Sequence, residues 1–233
     1  MKKILGLVWL VLFFMSIVTL AETGKEKTEK ELLDEKILTA LDILEEMMGM
    51  PDNAIPTDLL AKASGIAIFP GVLSGGLMIG GRYGKGIILS RDPKTGRWSP
   101  PAFYTLKGLS YGLQVGGQAI DLIMVITTER GMKAFLENKI TLGGDLAAAA
   151  GPMGRDASAD TDWKLKANIF SYSRSKGLFL GISLKGVAMS PDNEANKKYY
   201  GKELTAEEIL FGQKVKATPS AQRLIEALGT YAK

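Results

Sequence analysis

Glycine occurs inside the apolar segments of this chain rather than between them, and this placement most constrains the fold. The chain has 27 glycines, and a dense group of them interrupts the apolar sequence between residues 65 and 90. Because glycine has no side chain, it permits bulges, bends and close backbone approaches within strands. The pattern predicts strands over residues 65–70, 86–90, 102–107, 110–117 and 120–128, with a Gly-rich apolar segment at 75–83. The last of these strands is apolar on both faces, which is typical of a central, buried strand.

Helices are predicted on both sides of this strand-rich region. Apolar residues at three- and four-residue spacing predict a helix over residues 31–48, and shorter helices follow at 57–63 and 129–138. Alternation predicts a hairpin over residues 163–185, and the segment from Asp192 onward is predicted to be helical. The fold class is therefore α+β, with a curled or barrel-like, mostly antiparallel sheet of seven or more strands. A leading helix and C-terminal helices are expected to pack on that sheet.

The first 21 residues have the pattern of a secretory signal peptide. Lys2 and Lys3 precede an uninterrupted apolar run at 4–18, and small residues follow up to Ala21. Uncleaved, the run approaches the length of a membrane anchor. We therefore predict an exported protein of the periplasm or cell envelope, peripherally associated with a membrane. A flexible segment is expected at 22–30, and a single domain at 31–233.

Composition excludes several kinds of chemistry. The chain has no histidine and no cysteine, so Ser-His-Asp and Cys-His nucleophile systems, disulfides and most zinc sites are ruled out. The net charge is +4, and without Lys2 and Lys3 it is +2, which does not favour nucleic acid as a partner. The missing histidine and cysteine do not exclude an enzyme, which stays a third interpretation, but they remove the commonest catalytic groups. We expect no cofactor and no enzymatic activity.

Two further motifs are candidate ligand sites. The glycine cluster at 71–86 lacks the following helix and the G-K-[ST] ending of a phosphate-binding loop. The loop containing Asp156, Asp160 and Asp162 offers carboxylates to a hard cation such as calcium, although its spacing does not match an EF-hand. A solvated loop is the alternative for these acids.

The predicted hairpin is rich in basic residues and has no acidic residue between positions 163 and 191. Its basic residues are Lys164, Lys166, Arg174, Lys176 and Lys185. Phe170, Tyr172 and Phe179 are interleaved with them. Cations beside aromatics suit anionic phospholipid headgroups, at about 1 kcal/mol for each basic side chain near a membrane surface. The alternative is a solvated face that protects an edge strand from aggregation.

Several blocks, in order, resemble the SYLF domain family. They are Gly65–Pro70, Gly80–Gly86, Tyr111–Gly116, Leu142–Asp145, Ala150–Arg155, Tyr172–Phe179, Asn196 and Tyr199–Gly201. The resemblance covers roughly residues 35–230. It implies a non-enzymatic lipid-binding domain, since eukaryotic members bind phosphoinositides and some fungal members bind and bundle actin.

The resemblance assigns lipid binding to the matching basic positions Arg82, Lys85, Arg174 and Lys176. Together with the hairpin, it predicts a module that recognises anionic phospholipid or a membrane surface. The alternative is a structural or protein-interaction module of the cell envelope with an envelope protein as partner, including actin-type filament binding by family analogy.

Overall fold

The computed structural model of the chain describes residues 27–50, 55–152, 167–175, 178–212 and 214–233. Its elements in chain order are α1 (Glu29–Met48), α2 (Thr57–Ala61), β1 (Gly65–Ser90), β2 (Ala102–Ile126), α3 (Glu129–Ala134), β3 (Ile140–Thr141), β4 (Ala148–Ala150), β5 (Ile169–Ser175), β6 (Leu178–Gly181), β7 (Val187–Pro191), α4 (Asn193–Tyr200), α5 (Ala206–Leu210) and α6 (Pro219–Tyr231). Helix α1 begins at a capping box, in which Thr28 and Glu31 satisfy each other's backbone amides.

Seven strands form one curled sheet with β2 at its centre. Strand β2 pairs with β1, with β7 through residues 104–108, and with β5 through residues 121–126. All pairings among the named strands are antiparallel except that of β4 with β5. The predicted α+β class with a curled sheet of seven or more strands is confirmed.

The predicted division into several short strands between residues 65 and 128 is wrong. Residues 65–90 form one strand and residues 102–126 form another, and the two pair with each other as a long ribbon. The glycines bend these strands without ending them, because the register continues on both sides of the bulges at Phe69/Val72 and Gly76/Met78.

The ribbon curls so tightly that β1 contacts itself. A Cβ atom added at Gly84 would lie 2.7 Å from Val72 Cγ2, and one at Gly86 would lie 2.6 Å from Phe69 Cδ1. Gly71 adopts a φ of 59°, in the left-handed region, within the first bulge. The absence of side chains at Gly84 and Gly86 therefore permits the curl.

Each face of the ribbon covers its own core cluster. The outer face contributes Ile66, Ile87 and Phe103 to a cluster that includes Leu41 of α1 and Leu224 of α6. The inner face contributes residues such as Phe69 and Leu106 to a second cluster that is completed by α3, α5 and β7. Helices α1 and α6 thus pack on the outer face, and α3 and α5 pack on the inner face within the curl.

Other helices and strands are shorter than predicted. Strand β6 ends at Gly181, so the predicted hairpin arm over 178–185 is only half as long, and the chain then turns into β7. Helix α3 ends at Ala134 rather than at residue 138. The C-terminal region is divided among α4, α5 and α6.

Candidate functional site

Four of the seven predicted lipid-binding residues lie in the described part of the chain, namely Arg82, Lys85, Arg174 and Lys185. Lys164, Lys166 and Lys176 lie outside it, as do the acidic loop 156–162 and the predicted signal peptide. Their assignments, and the domain boundaries at residues 21 and 30, stay predictions.

Arg174 is held by two carboxylates. Its Nε donates to Asp121 Oδ2 at 2.8 Å, and its Nη1 pairs with Glu46 of α1. Asp121 also accepts the amide of Gly71 at 2.9 Å, so this ion pair fastens β5 to the first bulge of β1. A lipid phosphate at Arg174 would have to compete with both carboxylates.

Lys185 lies apart from Arg174 in the sheet order. It occupies the exposed turn before β7, whereas Arg174 lies on β5 on the other side of β2. In the described part of the hairpin, these two cations therefore do not lie on the same pair of neighbouring strands.

A different basic and apolar surface lies on the outer face of the ribbon, next to the helices. Tyr83 is directly opposite Lys107, and Leu109 follows Lys107 on the same face. Lys107 is exposed, and 44% of Tyr83 and 56% of Leu109 are exposed. Together with Lys85, these residues form what we call the outer strip.

The electrostatics of the outer strip are set by Lys85. Lys85 Nζ pairs with Asp192 at 2.9 Å, and 49% of its side chain is exposed. That hydrogen bond raises the pKa of Lys85. Burial, and then the charge of Lys85, lower the pKa of nearby Lys36 on α1. Lys36 and Lys107 thus add positive charge near the Lys85–Asp192 pair.

Lys107, Tyr83 and Leu109 are functional candidates that the sequence patterns do not reveal. The predicted strands 102–107 and 110–117 put Lys107 at a strand end. Alternation along one continuous β2 strand, paired with β1, would have placed all of them on the same exposed face.

Asp192 supplies a pH-dependent test of this region. Burial alone would raise its pKa, but hydrogen bonds from Lys85 and the Ala195 amide hold the pKa below its usual value. A carboxyl with a lowered folded-state pKa stabilises the fold above its unfolded-state pKa, and that stabilisation disappears as the pH falls through the folded-state value.

We expect Asp192→Asn to reduce the free energy of unfolding by about 1 kcal/mol at pH 7, since asparagine still caps α4 but lacks the charge. Urea unfolding at pH 7 and at about pH 2–3, below the ordinary carboxyl pKa, measures the effect. The difference in stability between the two proteins should shrink toward the acidic pH, because Asp192 becomes protonated as well. A deficit of equal size at both pH values would contradict the electrostatic origin.

The described residues also line a shallow cleft between the Asp92–Pro100 loop and the end of α5. Its volume is about 250 Å³, and Trp98 and Phe211 form part of its wall. Small-molecule sites usually enclose about 300–1,000 Å³. This cleft is therefore smaller than a usual small-molecule site.

None of the helices within the described ranges is long and apolar enough to span a membrane. A curled sheet packed against helices, with an exposed basic and apolar strip, defines the class of the protein as an α+β domain with a candidate binding surface. Its relatives identify the family within that class.

The family model described as "Las17-binding protein actin regulator" matches residues 107–231. The chain is 37% identical over 198 residues to SH3 domain-containing YSC84-like protein 1 of Xenopus laevis, covering 84% of this chain and 58% of the relative. It is 37% identical over 207 residues to LAS seventeen-binding protein 3 of Saccharomyces cerevisiae strain YJM789, covering 88% and 44%. The chain belongs to the Ysc84/SYLF family, as its sequence blocks predicted. It spans about half the length of these curated relatives.

The predicted location in a periplasm or cell envelope is wrong. The relatives are eukaryotic proteins named for an SH3 domain and for binding Las17, and they are not exported periplasmic proteins. The prediction depended on residues 1–21, which lie outside the region matched by the family model. The domain itself carried no information about export.

Proposed function

We propose that this chain is a non-enzymatic module that binds anionic phospholipid through the outer strip. The observation that carries the proposal is the cross-strand placement of Tyr83 beside Lys107, with Leu109 exposed on the same face. Basic side chains would approach the phosphates, and the tyrosine and leucine would enter the interfacial region.

The expected energies are sufficient for reversible attachment. Each basic side chain near an anionic surface contributes about 1 kcal/mol, and burial of an exposed leucine contributes about 1.5–3 kcal/mol. Lys107 should contribute more than Lys85, because Asp192 already neutralises Lys85. Attachment should weaken at high salt, since exposed charges are screened.

Charge reversal at Lys107 tests the outer strip. Lys107→Glu should weaken binding to phosphatidylcholine vesicles containing phosphatidylserine about tenfold or more, since it changes the charge near the membrane by two. Co-sedimentation at low salt measures the affinity, and vesicles of phosphatidylcholine alone give the background.

Lys185→Glu is the matched control, because Lys185 is equally exposed but lies off the outer strip. If Lys185→Glu impairs binding and Lys107→Glu does not, the predicted hairpin rather than the outer strip contacts lipid. If the native chain binds neither kind of vesicle, lipid binding itself is refuted.

A protein partner is the second candidate, and the family description favours it. The matching model is described as an actin regulator, and the yeast relative is named for binding Las17. In this alternative the chain binds actin filaments rather than lipid. Co-sedimentation with purified filaments separates the two, because a filament binder pellets with actin without needing vesicles.

A further inference from the structure

The inner face of the ribbon carries a guanidinium group that has no partner in the described structure. Arg82 lies opposite Gly108 and two residues before Gly84, so alternation places it on the face that joins the second core cluster. Its neighbour Tyr83 points to the other face and belongs to the outer strip. Arg82 is therefore separated from that strip by the ribbon itself.

Arg82 is half-buried, and its Nε atom is fully buried without a hydrogen-bond partner among the described residues. Burial lowers the pKa of Arg82, and no charged group contributes to that shift. An arginine stays ionised in proteins at neutral pH, so the protein holds a partly desolvated, uncompensated cation here.

Two other partly buried guanidinium groups, those of Arg91 and Arg174, have hydrogen-bond or ion-pair partners. Arg91 donates to the carbonyls of Gly96 at 3.1 Å and Ala232 at 3.0 Å, and also to that of Ala61. Arg174 is paired with Asp121 and Glu46. Arg82 differs from both, and an unpaired buried charge is costly unless something outside the chain compensates it.

We propose that Arg82 is the anchor of an anion site on the inner face of the ribbon, and that its ligand is a phosphate group. A guanidinium binds a phosphate through two parallel hydrogen bonds, which would include the unsatisfied Nε. The phosphate belongs either to a lipid headgroup or to a soluble molecule.

The test uses inorganic phosphate as the probe and thermal unfolding as the measurement. At constant ionic strength, phosphate should raise the Tm of the native chain, because a ligand that binds only the folded state stabilises it. Arg82→Met should lose this shift, with phosphate affinity weaker by about tenfold or more. Arg82→Lys should keep a smaller shift in Tm, because lysine retains the positive charge but cannot donate two parallel hydrogen bonds to one phosphate.

Without phosphate, Arg82→Met should be at least as stable as the native chain, since it removes an unpaired charge and keeps an unbranched side chain. Arg223→Met is the matched control, because Arg223 is exposed on α6. The proposal is overturned if phosphate stabilises Arg82→Met as much as the native chain, or fails to stabilise either. It is also overturned if Arg82→Met alone loses stability without phosphate, which would show a structural role.

Vesicles separate the two sources of phosphate. If Arg82→Met weakens binding to phosphatidylcholine vesicles containing phosphatidic acid, the ligand is a lipid headgroup. If vesicle binding is unchanged while the phosphate-dependent Tm shift is lost, the ligand is soluble. This site does not depend on the outer strip, so a normal phosphate response in Lys107→Glu would keep the two proposals distinct.

Discussion

Replacement of Gly86 by alanine is expected to lower the free energy of unfolding by about 3 kcal/mol. The added Cβ atom would meet the carbonyl oxygen of Ile68 and lie 2.6 Å from Phe69 Cδ1. Ile68 and Phe69 are both fully buried. Neither neighbour can move away cheaply, because one is backbone in the sheet and the other is a core ring.

Gly81→Ala is the control for this substitution. Gly81 lies on the same strand, and no atom lies within 4 Å of its added Cβ. Alanine there should be neutral or should stabilise by about 0.4–1 kcal/mol, because it restricts the unfolded chain. Urea unfolding of both variants measures the difference. Equal stabilities would show that the curl of β1 does not depend on the close approach at Gly86.

The sequence predicted the helices and the curled sheet because their signals are local. The spacing of Ile37, Leu41 and Leu44 is enough to predict α1, and the long apolar run at 120–126 predicted a central strand. The continuity of β1 and β2 was not predictable in this way. A glycine that ends a strand and a glycine that bends one are the same residue in the sequence, and only the pairing partner distinguishes them.

The candidate site was less predictable because it depends on distant partners. Arg174 is paired with Glu46 and Asp121, residues far away in the chain, whereas the local sequence around it contains no acid. Lys85 is neutralised by Asp192 in the same manner. The charges of residues adjacent in the sequence therefore overestimate the positive charge that is available at Arg174 and Lys85. They also do not identify Lys107 as part of a basic surface.

Replacement of Asn196 by leucine is expected to cost about 3 kcal/mol of stability, since it removes two hydrogen bonds and leaves a buried amide unsatisfied. Asn196 is fully buried on α4. Its Oδ1 accepts the Phe103 amide at 2.8 Å, and its Nδ2 donates to the Phe103 carbonyl at 3.2 Å. The side chain thus pairs with β2 as a neighbouring strand would, and it fixes α4 against the sheet.

Asn196→Asp tests separately the hydrogen bond that Asn196 Nδ2 donates to the Phe103 carbonyl. Aspartate can still accept the Phe103 amide, but it loses the donor and places a carboxylate without a positive partner next to the Phe103 carbonyl. Burial should raise the pKa of the new carboxyl in the folded state, so the folded state binds the proton more tightly than the unfolded state. Stability relative to the native chain should therefore fall as the pH rises above the ordinary aspartate pKa of about 3.9.

Asn193→Asp provides the same change of chemistry at the exposed first turn of α4. There a negative charge should be neutral or should stabilise by about 0.3–1 kcal/mol, because it faces the positive end of the helix dipole. Urea unfolding from pH 4 to 7 should thus show a growing deficit for Asn196→Asp and none for Asn193→Asp. A deficit of the same size at every pH would contradict the burial of an unpaired carboxylate at this position.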